Sequence, residues 1–88
     1  MTKEEAVERA RKDLGERLNV DPAGIKDDVE DADFPDMALG APEDGEMSGQ
    51  MITPGWRIRL AAAGKSFEYR ADKNQLRLYK YKGKNYRI

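Results

Sequence analysis

Eighty-eight residues are enough for one small domain, and with 39% hydrophobic residues its core must be thin. The absence of both cysteine and histidine excludes disulfides, thiolate zinc sites and every nucleophile–histidine pair. A formal net charge of −1 argues against the disorder that a low aliphatic content otherwise signals, so a folded domain is expected.

Thr2-Lys3-Glu4-Glu5 has the form of a capping box and is followed by Ala6, Val7, Ala10, Leu14 and Leu18 at helical spacing. The pattern predicts a helix over 3–18, with a loose last turn at Gly15, ended by Asn19-Val20-Asp21-Pro22. Asp21-Pro22-Ala23-Gly24 reads as a turn or one short helical turn. Residues 25–34 read as a weak strand crowded with aspartates, suited to a sheet edge. Residues 35–55 hold three of the four prolines, four of the eight glycines and three of the four methionines, the composition of a long functional loop. Within it, residues 46–53 could extend as a strand, with Pro54-Gly55 as a bulge.

Residues 56–88 alternate with period two. Trp56, Ile58 and Leu60 share one face, then Phe67, Tyr69 and Ala71, then Leu76, Leu78 and Lys80 against Arg77, Tyr79 and Tyr81. The expected fold is a single α+β domain, one N-terminal helix packed on a curved antiparallel sheet of four or five strands. Trp56 is expected in its core.

Charge is uneven along the chain. Residues 1–46 carry six Lys/Arg against fifteen Asp/Glu, and residues 47–88 carry ten against two. Two halves of opposite sign either pack together and neutralise each other or set an acidic tail beside a nucleic-acid-binding body, and folded domains more often do the first. No apolar run reaches the ~18 residues of a membrane span, and residues 1–13 lack a hydrophobic signal core, so a cytoplasmic location and no membrane partner are expected.

Phe34-Pro35-Asp36, Leu39-Gly40-Ala41-Pro42, residues 50–58 (QMITPGWRI) and Phe67-Glu68-Tyr69 resemble a family of small uncharacterised prokaryotic domains. That family's pattern runs W-P-D-x-x-L-G-C-P-x-P-G, then Q-V-x-T-P-G-Y-x-I-x-L, then Y-x-Y. A helix ending near R-L-x-V precedes it, as at Arg17-Leu18-Asn19-Val20. The likeness spans residues 6–72. It implies a cystatin-like or PepSY-like architecture, no known activity or cofactor, and a shared loop built by Asp36, Gly40, Pro42, Thr53, Pro54 and Gly55. Ala41 stands where relatives often carry cysteine, Phe34 replaces tryptophan, and Glu43-Asp44-Gly45 replaces x-P-G.

Thr2, Ser48, Thr53, Ser66, the tyrosines and the lysines have no histidine or cysteine to activate them. Asp31, Asp33 and Asp36 are the densest carboxylates, but a calcium loop starting at Asp31 would need Gly and Glu where Asp36 and Pro42 stand. No catalytic, metal or cofactor site is expected, and the chain reads as a non-enzyme. Arg77, Tyr79, Lys80, Tyr81 and Lys82 form an alternative patch that could grip single-stranded nucleic acid, although the pI of 5.5 is far below the roughly 9 such domains show. Residues 50–56 also faintly resemble the inhibitory hairpin and Pro-Trp loop of cystatins, here fused into one segment. The expected function is non-catalytic binding of an unknown protein or peptide. Its contact surface would be Asp36, Met37, Gly40, Pro42, Met47, Gln50, Met51, Thr53, Pro54 and Gly55, with the methionines as adaptable apolar contacts.

Overall fold

The N-terminal helix is closed by a complete capping box. In the computed structural model, which describes residues 1–88, α1 spans Lys3–Leu18. Thr2 Oγ1 accepts the Glu5 amide at 3.1 Å while Glu5 Oε1 accepts the Thr2 amide at 2.8 Å, the capping box the sequence specifies. Ala6, Val7, Ala10 and Leu14 are buried along one stripe. Gly15, expected to loosen the last turn, is instead buried, because a Cβ there would lie 2.9 Å from both Pro22 Cγ and the Val20 carbonyl oxygen. Its missing side chain lets the short 3-10 turn Pro22–Gly24 fold back against α1.

Five strands follow: β1 (Lys26–Phe34), β2 (Thr53–Ala62), β3 (Lys65–Ala71), β4 (Leu76–Tyr81) and β5 (Lys84–Arg87). All pair antiparallel in the order β1-β2-β3-β4-β5, so each strand neighbours its successor and α1 covers one face. The structure is therefore α+β with a five-stranded sheet. Ile58, Leu60, Tyr69, Ala71, Leu76 and Leu78 pack with the α1 stripe and Ile25, and Trp56 lies half-buried at the margin of that core. No helix is long and apolar enough to cross a membrane.

Three local expectations are corrected. Residues 46–52 are not a strand; β2 begins at Thr53, and Pro54 and Gly55 pair with Asp33 and Ala32 without a bulge. Pairing with β3 starts only at Trp56, so Pro54 sits where β2 has one neighbour and its missing N–H is tolerated as at an edge. The alternation expected through β4 breaks between Leu78 and Tyr81, where Lys80 adopts a φ of 48°. That irregularity turns Tyr81 onto the helix face, its ring centre 6.0 Å from Phe67 and 6.2 Å from Tyr86.

β1 forms despite its aspartates, and three of its five acids are answered by neighbouring cations. Glu30 Oε1 lies 3.2 Å from Arg57 and 3.1 Å from Arg59 on the next strand, Asp27 lies 3.0 Å from Arg11, and Asp31 lies 3.2 Å from Lys3. Glu30 thus ties the acidic first half to the basic second half, whereas Asp27 and Asp31 are paired with cations of the first half itself. Between helix and sheet, Asp13 Oδ2 accepts the Tyr69 hydroxyl at 2.6 Å and Arg17 Nε at 2.7 Å. Burial and then the Asp13 carboxylate push the Tyr69 phenol well above its ordinary range, so it stays a hydrogen donor. Burial is the largest influence on Arg17 and disfavours its charge, but the Asp13 hydrogen bond together with the charge of Asp13 and the nearby Tyr69 and Tyr81 outweighs it, and the pKa rises. The same guanidinium lies over the Tyr86 ring at 4.7 Å.

Tyr69→Phe removes one hydrogen bond to a charged acceptor and little volume, so it is expected to cost about 1.5–3 kcal/mol. Urea unfolding would register this as a lower midpoint at unchanged slope, and an unmoved midpoint would refute the tie between α1 and β3.

Candidate functional site

Residues 35–52 form a long connection that is partly fastened to the sheet. Their first part is bound across the sheet face opposite α1. Phe34 shares that outer face with Glu30 and Ala32, because Val29, opposite Ile58, faces the core. Phe34, Ala38, Leu39 and Ala41 are buried there outside the main core, and the Arg57 and Arg70 guanidinium carbons lie 5.6 and 5.3 Å from the Phe34 ring centre. Burying a phenylalanine and a leucine this way contributes roughly 1.5–3 kcal/mol each.

Asp36 starts this strap. Its Oδ1 accepts the Ala38 amide at 2.9 Å and the Gly40 amide at 3.0 Å, an Asx turn that satisfies the carboxylate within its own loop. Leu39 and Gly40 then take φ values of 59° and 65°, which aims both carbonyls at Arg70 Nη1, 3.0 and 3.2 Å away. A side chain at Gly40 would be strained in φ and would meet Arg70 Nη1 at 2.7 Å. Pro42 is exposed, and its carbonyl accepts Asn85 Nδ2 at 2.9 Å.

The strongest fastening is Arg77, only 2% exposed. Its Nη1 and Nη2 donate to Glu46 Oε1 and Oε2 at 2.6 and 2.7 Å, its Nε donates to Gln75 at 2.8 Å, and Nη1 also reaches the Ala41 carbonyl at 3.3 Å. This fork-to-fork geometry leaves Arg77 nothing for a phosphate. Its hydrogen bonds from Arg77, then from the Glu43 amide, lower the Glu46 pKa from 4.5 to about 2. The predicted nucleic-acid patch is therefore divided. Arg77 is buried, and Tyr79 lies half-buried under Arg70 at 3.7 Å. Tyr81 faces the helix, and only Lys80 and Lys82 are exposed. Their shared parity in sequence could not reveal the turn at Lys80.

Several large apolar side chains of the segment are open to solvent. Met37, Met47, Met51 and Ile52 are 50%, 96%, 63% and 71% exposed, and Gln50 is exposed as well. Thr53 is half-buried and donates to the Met51 carbonyl at 2.9 Å, while Gly55 lies against Ala71 and the Phe34 ring. Met37, Met51, Ile52 and Trp56 line an open groove of about 790 Å³ with Asp31 and Asp33 on its rim. Asp31, Asp33 and Asp36 do not converge on one point. Glu46 and Arg70, which fix the strap, escaped sequence reasoning; the Asp36-to-Gly40 spacing of an Asx turn was the one local signal of a folded-back loop.

A family model described as "Domain of unknown function (DUF8738)" matches residues 7–79, and the chain belongs to that family. No curated protein matches the chain. No solved structure matches it either.

Because the Glu46 pKa is lower in the folded protein than its ordinary 4.5, the Arg77 pair contributes fully above pH 4.5 and is lost as pH falls toward about 2. Stability followed by urea titration across that window should fall more steeply in the native chain than in Glu46→Gln, and parallel curves would contradict the pairing. Arg77→Ala leaves the part-exposed Glu46 without its partner and is expected to cost about 2–3 kcal/mol. Differential scanning calorimetry measures this directly.

Proposed function

We propose that this chain is a non-catalytic binding domain for a protein or peptide, and that its contact surface is residues 47–52 together with Met37, Trp56 and the groove they border. The observation that carries this is three large apolar side chains, Met47, Met51 and Ile52, held in water on a segment whose other half is fastened to the sheet, with Met37 of the fastened half exposed as well. Scattered exposed apolar residues need no explanation, but a contiguous set beside a groove is characteristic of a docking surface. Methionine suits it, being flexible and polarisable.

The non-catalytic part of the reading is supported by the residue inventory. No histidine or cysteine is present to activate a hydroxyl, and the Thr53 hydroxyl donates to a backbone carbonyl. One helix laid across an antiparallel meander also supports the cystatin-like or PepSY-like kinship. Nucleic-acid binding through Arg77, Tyr79, Lys80, Tyr81 and Lys82 is the weaker alternative, since Arg77 is engaged by Glu46.

The test is selection of peptides from a random displayed library on the native chain, followed by affinity measurement on Met47→Ser/Met51→Ser/Ile52→Ser. The triple variant should keep the native melting temperature and bind the selected peptides at least roughly tenfold more weakly, since each lost apolar contact is worth about 1 kcal/mol or more. Equal affinity for both proteins would overturn the proposed surface.

A further inference from the structure

The two edges of the sheet are finished differently. β5 is four residues long, and its Arg87 amide is taken by Glu43 Oε2 at 3.2 Å, so the strap closes that side. β1 is nine residues long, pairs only with β2, and is exposed along most of its length. None of the backbone hydrogen bonds made outside helices and strands touches residues 26–34. A long open edge of this kind templates another strand.

Charge decides which strand. β1 carries Asp27, Asp28, Glu30, Asp31 and Asp33 against the single Lys26. Antiparallel pairing of β1 with β1 of a second copy, centred on Glu30, would set Glu30 against Glu30 and Asp27 against Asp33. Like charges directly opposite each other are destabilising. Lys3, Arg11, Arg57 and Arg59 answer Asp31, Asp27 and Glu30, but Asp28 and Asp33 have no ion-pair partner. At the C-terminal end of the edge, Asp31 and Asp33 flank the groove of Met51, Ile52 and Trp56.

We propose that β1 receives an extended basic peptide as a sixth strand, its Lys or Arg side chains facing the free carboxylates and one apolar side chain seated in the groove. The inference rests on the binding-domain reading and adds to it the partner's chemistry and its mode of attachment. Backbone hydrogen bonding along β1 supplies affinity independent of side chains, while the acids and the groove select for positive charge beside an apolar residue. A second copy of this chain is disfavoured by the same acids.

Three short peptides test it on the full isotope-labelled chain: one with adjacent lysine pairs, which set a charge on each face of the strand, flanking a valine-leucine-valine centre, because Asp28 and Asp33 lie on opposite faces of β1; the same with glutamate for lysine; and the lysine form with prolines that prevent strand addition. The first should protect the amides of residues 26–34 from hydrogen exchange and weaken steeply with added salt. The other two should bind roughly tenfold more weakly or worse, and Asp28→Lys/Asp33→Lys should weaken the first by a similar factor. Comparable binding of the glutamate or proline peptide, or protection confined to other strands, would overturn the proposal. So would a dimer in sedimentation that protects β1 without peptide. If library-selected peptides lose affinity for the Met47/Met51/Ile52 variant yet bind Asp28→Lys/Asp33→Lys normally, strand addition fails and the binding-domain reading stands. If the lysine peptide protects β1 while those three apolar residues prove irrelevant, residues 47–52 are overturned as the contact surface, and so is the groove contact of the added strand.

Discussion

A guanidinium withdrawn from water needs fixed oxygen atoms around it, and Arg77 obtains most of them from a segment more than thirty positions earlier in the chain. Glu46 presents both carboxylate oxygens, Ala41 a carbonyl, and Gln75 an amide oxygen. That arrangement holds only if the strap crosses the outer face of the sheet, which in turn requires the Asp36 turn and the paired left-handed residues Leu39 and Gly40. Left-handed geometry at a leucine costs on the order of 1–2 kcal/mol. Burial of that same leucine beside Phe34, and the carbonyls it directs at Arg70, offset the cost. The outer layer is therefore a cooperative unit, with charge at one end and hydrophobic contact at the other.

The apolar skeleton was legible because it is periodic. Ala6 to Leu14 repeat with the helix and Ile58 to Leu78 with the strand, and both patterns depend on nearest neighbours alone. Two kinds of information are not local and were missed. One is the partner of a buried charge: nothing near Arg77 in sequence points to Glu46, whose own surroundings look like an ordinary exposed turn. The other is a single backbone angle. Lys80 at positive φ, in a residue type that seldom adopts it, reverses the facing of Tyr81 and dismantles a surface that strict alternation would have built. The exposed half of the strap was legible for the complementary reason, since Met47, Met51 and Ile52 have no position in either repeat.

The charge asymmetry along the sequence has a spatial meaning. Glu30 of β1 answers Arg57 and Arg59 of β2, while Asp27 and Asp31 answer Arg11 and Lys3 of α1, so part of the charge is paired inside the fold. What remains is a gradient across the sheet, acidic at β1 and basic toward β4 and β5. The basic end is partly screened by the strap through Glu43 and Glu46. The acidic end has no such cover, so the unpaired charges of Asp28 and Asp33 stand beside the one uncapped strand.

The connection between β1 and β2 has a thermodynamic consequence of its own. Every other pair of neighbouring strands is joined by a tight reversal, whereas this one passes through residues 35–52 before pairing resumes at Thr53. Closing so long a loop rather than a two-residue one forfeits on the order of 2 kcal/mol of chain entropy. Phe34, Leu39 and the Arg77 clasp return more than that, so the protein sustains a lengthy excursion with no loss of overall cohesion. Variation in the length of residues 47–52, downstream of the clasp, would accordingly leave the framework almost undisturbed.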